Sequence, residues 1–275
     1  MRPTVNVQPG VSNLVHRLAL ALLLLPIALT IAAGTSVSAQ QVDTRIVVRA
    51  LANDAKLIGD RAGGARVTIR HADTGAFLAG GMITGDTGDT QGIMSPRERG
   101  GVAFDTQGAA SFATSLPIES PTPIEIVVEA PLGVPEAYQR ASKTLLLVPG
   151  VHLEGPGVII ELNGMAVTVL EAPVSAAPGE SISVTARIEM LCGCPSAPDG
   201  LWDSNRMDLR VDIADAAGRL VSSHEMTWTG AESTFAARFN LPSDLEAGLA
   251  WLRVMALDPE RANTGMAEEP LRVVR

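Results

Sequence analysis

The segment Ser181-Ile182-Ser183-Val184-Thr185-Ala186-Arg187-Ile188-Glu189-Met190 decides the fold class. Ile182, Val184, Ala186, Ile188 and Met190 alternate without a break with Ser181, Ser183, Thr185, Arg187 and Glu189. A period of two puts the two sets on opposite faces of a strand, one buried and one wet. The same grammar continues on both sides. Strands are expected over residues 167–171, 208–213, 220–227, 233–240, 249–257 and 271–274, with Ala172-Pro173 and Ala177-Pro178-Gly179 forming a turn-rich connection. Asp215-Ala216-Ala217-Gly218 reads as a hairpin turn between two of them. Seven short strands at this spacing in roughly 110 residues fit an immunoglobulin-like sandwich.

Further towards the N-terminus the strand period persists, in short runs bounded by Gly, Pro, Asp and Asn. It predicts strands over residues 45–51, 65–71, 77–82, 110–116, 124–130, 144–148 and 158–162, with a turn at Asp73-Thr74-Gly75. No helix is expected. Residues 85–108 lack periodicity and read as a long, mobile excursion. Asn163-Gly164 interrupts two strands and marks a boundary, so the fold class is all-β, two tandem β-sandwich modules over 40–163 and 164–275. So short a link predicts that the sandwiches pack rather than swing freely.

The stretch Ala250-Trp251-Leu252-Arg253-Val254-Met255-Ala256-Leu257-Asp258 resembles the penultimate strand of bacterial extracellular immunoglobulin-like modules. Val67-Thr68-Ile69-Arg70 and Asp73-Thr74-Gly75 resemble, more loosely, the carboxypeptidase-regulatory and transthyretin-like β-modules. These resemblances imply fold and no activity.

The N-terminus carries Arg2, His16 and Arg17, then an apolar run over 18–33 broken only by Pro26 and Thr30, then small polar residues ending in Val37-Ser38-Ala39. That is the pattern of a signal peptide cleaved after Ala39, and its run is shorter than the roughly 20 residues a spanning helix needs. The expected location is periplasmic or extracellular, with no membrane span after cleavage. Arg2 and Arg17 leave with the leader, so 19 basic residues face 30 acidic ones, a net charge of −11. Nucleic acid and anionic membranes are poor partners for such a surface. A protein partner in the cell envelope is the expectation.

Cys192 and Cys194, the only cysteines, stand one glycine apart where the long strand ends and Pro195, Pro198, Asp199 and Gly200 signal a loop. Three readings stay open. Gly193 permits a local disulfide, the usual outcome for two cysteines in an exported chain. Two thiolates with Met190, and with His224 and Met226 from a later strand, would instead suit Cu(I). The thiols could also remain reduced, or join another protein in a mixed disulfide. Downstream, Trp202, Asp203 and Arg206 share the same loop, and indole and guanidinium groups are enriched where proteins bind one another. The alternative is that Trp202 covers the open end of the sandwich and Asp203 caps a turn.

The remaining motifs are weaker. Gly85-Asp86-Thr87-Gly88-Asp89-Thr90 does not space its carboxylates as a calcium loop does, and is read as solvated. Residues 94–101 hold Arg97, Glu98 and Arg99, a charge cluster of the kind usually left in water. No nucleophile elbow, phosphate loop or His-Glu-x-x-His stands in the chain, since His224-Glu225 is followed by Met226-Thr227-Trp228. The expected function is therefore an exported, non-catalytic binding or scaffold protein acting through loops of the second module, with no cofactor. Copper handling or thiol redox chemistry at Cys-Gly-Cys is the alternative.

Overall fold

A computed structural model describes residues 41–96 and 103–275. The expected leader and Arg97, Glu98 and Arg99 lie outside the described residues. The described residues fall in one compact unit.

The first sandwich is built from β1 (Val42–Ala52), β2 (Ala65–His71), β3 (Phe77–Ile83), β4 (Phe112–Ile118), β5 (Thr122–Ala130), β6 (Gln139–Leu147) and β7 (Leu153–Leu162). One sheet has the order β4-β1-β7, the other β3-β2-β5-β6. β1 runs antiparallel to β4 and parallel to β7. The register of β1 on β7 slips between Ile46 and Val48, where Gly155 and Gly157 adopt positive φ on either side of Pro156. Such a bulge bends a strand and blunts its edge.

The second sandwich contains β8 (Met165–Glu171), β9 (Ser175–Ala176), β10 (Ser181–Met190), β11 (Ser196–Ala197), β12 (Trp202–Asp203), β13 (Asp208–Asp215), β14 (Leu220–Glu225), β15 (Thr227–Trp228), β16 (Thr234–Asn240), β17 (Gly248–Asp258) and β18 (Asn263–Val273). Its sheets have the orders β15-β16-β10-β8 and β14-β13-β17-β18-β9, while β11 and β12 form a small parallel pair of their own. The first strand is shared between sheets, β8 pairing with β10 and β9 lying parallel to β18. This is the strand order of an immunoglobulin-like sandwich with an added edge strand, β14. The cysteines do not bridge its two sheets. Ala186, Ile188, Leu252 and Val254 fill the space between the sheets with aliphatic side chains.

Expectation and structure differ at several strands. The strand expected at 110–116 is β4, shifted towards the C-terminus. β6 begins at Gln139 rather than 144, because its polar half, Gln139 to Lys143, lies on an exposed sheet edge where alternation is not required. β18 begins at Asn263 rather than 271. Its wet face carries Glu268 paired with Arg253, which hides the strand among charges. The run 220–227 divides at Met226, where the chain passes from one sheet to the other.

The excursion is also more ordered than expected over its described residues, 85–96 and 103–108. It holds a one-turn helix, α1 (Thr90–Met94), capped by Asp89, whose carboxylate accepts from the Gly92 N–H at 2.5 Å. Asp86 donates its N–H to the Gly108 carbonyl, and Ile93 and Ala103 enter the core. Five residues are too few for a helical period to show in the sequence.

Candidate functional site

The registers fix two ends of the second sandwich. Met190, Asp208, Thr234, Asp258 and Asn263 share the end nearest the first sandwich, and Ser181, Asp215, Asn240, Gly248 and Val273 share the far end. The Cys192 to Arg206 segment therefore lies at the joint between sandwiches.

The segment folds back tightly on β10. Gly193, at φ +72°, donates its N–H to the Met190 carbonyl at 2.8 Å, and Met190 donates to the Cys194 carbonyl at 3.0 Å. Cys192 and Cys194 form a disulfide with Cα atoms 5.3 Å apart, and both are buried. The Ser196 hydroxyl donates to the Ile188 carbonyl at 2.5 Å. Positive φ favours glycine at 193, and a Cβ there would stand 3.0 Å from Cγ of Arg61, which reaches across from the first sandwich and would have to shift by a few tenths of an ångström. The Arg61 guanidinium pairs with Glu232 at 3.0 Å and approaches Glu189 at 3.9 Å. Burial raises the Glu189 carboxyl above the ordinary range, and Arg187 and Arg61 oppose the rise.

Trp202 is 7% exposed, and its indole N–H donates to the Asp54 carbonyl of the first sandwich at 2.9 Å. Asp203 accepts from the N–H groups of Asp199 and Asn205 at 2.9 and 3.0 Å, which shapes the turn around it. Arg206 and Leu201 are exposed; Arg206 pairs with Glu260. Nearby, Arg261 bridges Asp54 and Asp258. These side chains surround a recess of about 220 Å³.

Two asparagines that the sequence did not single out complete the joint. Asn263, fully buried, donates to the Asn53 carbonyl at 3.1 Å and accepts from the Gly164 N–H at 3.0 Å, while Asn53 donates to the Arg261 carbonyl at 2.5 Å. Asparagine beside a turn is a visible signal, but its partner about 210 positions away is not.

The copper donor set is not assembled in this fold. Both sulfurs are bonded to each other and so are not thiolate donors. Met190 and Met226 are core residues, and His224 stands on β14 in the sheet opposite Met190. The His224 ring stacks on Phe239 with centroids 3.9 Å apart, and burial lowers its pKa against the pull of Asp212. Among the described residues no group of three His, Cys, Asp or Glu side chains could hold a metal ion.

The strands thus define an all-β protein of two packed sandwiches, the second immunoglobulin-like. No protein-family profile and no curated protein matches the chain. Solved structures similar to it include an amphioxus IgVJ-C2 molecule, at 9% identity over 85% of this chain and 98% of that one, with a TM-score of 0.23. The Clostridium thermocellum CbhA fibronectin(III)-like modules match at 11% identity over 83% of this chain and 90% of theirs, with a TM-score of 0.25. The titin domains z1z2 in complex with telethonin match at 9% identity over 86% and 98%, with a TM-score of 0.24. At such scores these likenesses carry no argument, and the sandwich assignment rests on the strand order of the chain itself.

Proposed function

We propose that this chain is an exported, non-catalytic binding scaffold of the bacterial cell envelope, which holds two sandwiches in one fixed geometry and meets a protein partner through loops of the second. The supporting observation is the joint. Trp202, Asn53, Asn263 and Arg61 all reach between sandwiches, and the disulfide fixes the turn on which Arg61 rests. On this reading Cys192, Cys194 and Trp202 are structural parts of the joint, and Leu201 and Arg206, with Asp199, Gly200 and Asn205, are the members of that segment a partner can reach. Among the described residues no helix is long and apolar enough to cross a membrane.

Expression in an exporting bacterium, followed by intact mass and formaldehyde cross-linking in the cell, tests the reading. The expected result is an envelope fraction whose chain begins at Gln40, with adducts linked through the second sandwich. A full-length cytoplasmic chain, or adducts confined to the first sandwich, would contradict it.

A further inference from the structure

With the near end occupied by the joint, the far end of the second sandwich is the free one. A groove of about 400 Å³ opens there between the turn joining β13 to β14 and the connection leading into β17. Its walls include Val221 and Leu249, 40% and 48% exposed, and Leu220 beside them is 63% exposed. Aliphatic side chains left this open at one end of a sandwich favour a partner that covers them.

The charges at the groove are unequal. Asp215 and Arg219 satisfy each other. The Asp215 carboxylate accepts from the Arg219 N–H at 2.9 Å and from its Nε at 2.7 Å, which holds the Asp215 pKa below its usual value. Asp244 and Glu246 have no ion-pair or hydrogen-bond partner among the described residues, and Glu246 acts on Arg219 only at longer range. The groove therefore presents two carboxylates without a direct partner, Asp244 and Glu246, the second meeting Arg219 only at longer range, beside an aliphatic wall.

We propose that this groove binds a polypeptide segment in which lysine or arginine alternates with aliphatic residues, seated between the β13–β14 turn and the connection into β17 with its cations at Asp244 and Glu246 and its apolar side chains on Val221 and Leu249. The proposal rests on the scaffold reading and names the surface and the partner class. The aliphatic wall supplies attachment, and the two carboxylates select against acidic segments.

The test uses the mature protein labelled with 15N and two probes, acetyl-Lys-Val-Lys-Val-Lys-amide and the same peptide with glutamate in place of lysine. The expected result is saturable shifts confined to amides of 215–225 and 244–249 with the lysine peptide, and none with the glutamate peptide. Asp244→Asn with Glu246→Gln, both at exposed positions, weakens binding about fivefold, and Leu249→Ser weakens it about tenfold. Equal binding of both peptides, shifts elsewhere, or no shifts would overturn the groove. In-cell adducts on other loops of the second sandwich would leave the scaffold reading standing while the groove fails, whereas a cytoplasmic full-length chain would remove the scaffold reading whatever the peptides do.

Discussion

Each sandwich carries one long excursion, and the two are fastened by different chemistry. In the second, residues 191–207 are held by a disulfide, a serine hydroxyl and an indole N–H. In the first, the described parts of 84–111 are held by backbone hydrogen bonds, such as those from Leu57 to Thr87 and from Asp60 to Gly85, and by one buried arginine. Arg49 lies in β1, 4% exposed, and its guanidinium donates to the carbonyls of Ala109 and Ala110 at 2.9 and 3.0 Å, Pro156 at 3.3 Å and Gly155 at 3.4 Å. It also meets Asp105 at 3.3 Å, and burial lowers its pKa against that carboxylate. One planar cation thereby joins the excursion to the bulge in β7. A covalent link of very short span and a buried fork of hydrogen bonds thus solve the same problem, and the fork is expected to support more.

The largest effect should follow from Arg49→Ala. Carbonyls of Ala109 and Ala110 lose their donor, while half-exposed Asp105 is left to water, so the unfolding free energy should fall by about 2 to 3 kcal/mol. Arg49→Lys should recover only part of this, because an ammonium cannot span the same fork. Chemical denaturation measures both, and a loss under about 1 kcal/mol for the alanine variant would break the comparison.

The disulfide comes next. In the chain-entropy account a closed loop this short contributes least, so Cys192→Ala with Cys194→Ala should cost about 1.5 kcal/mol, below the arginine variant. A reversed order would show that the turn at Gly193 supports more of the molecule than its hydrogen bonds indicate.

Trp202→Phe keeps the ring in the joint and deletes the N–H that meets Asp54. A loss of about 1 kcal/mol is expected in the same denaturation experiment. No change at all would mean that the indole fills space and does not tie the sandwiches.

The smallest effect is the pH dependence at Glu189. Its carboxyl is raised in the folded state by burial, so its contribution is fully present below the unfolded pKa and is lost as pH rises through the folded one. Glu189→Gln should therefore flatten the stability curve in the window just above the ordinary carboxylate range. A curve parallel to that of the parent would place the charge in water.

Much of the fold was legible because alternation records burial. β2 and β10 stand where their periods put them, and Asp215-Ala216-Ala217-Gly218 turns as its residues demand. What escaped has physical reasons. The first half of β6 carries polar residues on an open sheet edge, and β18, between β17 and β9, carries charged residues on its wet face, so neither shows a clear period. Arg49 sits at a position that alternation assigns to solvent, and only the excursion folding over that face buries it. The density of unusual residues between Cys192 and Arg206 was visible, but their orientation was not. Trp202 turns towards Asp54, a neighbour that no local pattern announces.

The central claim is that the joint makes the two sandwiches one rigid body. Nitroxide labels on Ser142→Cys and Ser183→Cys, one exposed strand position in each sandwich, measure it by electron–electron dipolar spectroscopy. A single narrow distance peak that survives Trp202→Phe but broadens when Asn53 and Asn263 are also replaced by alanine is the predicted result. A broad or multiple distribution in the parent protein would contradict it.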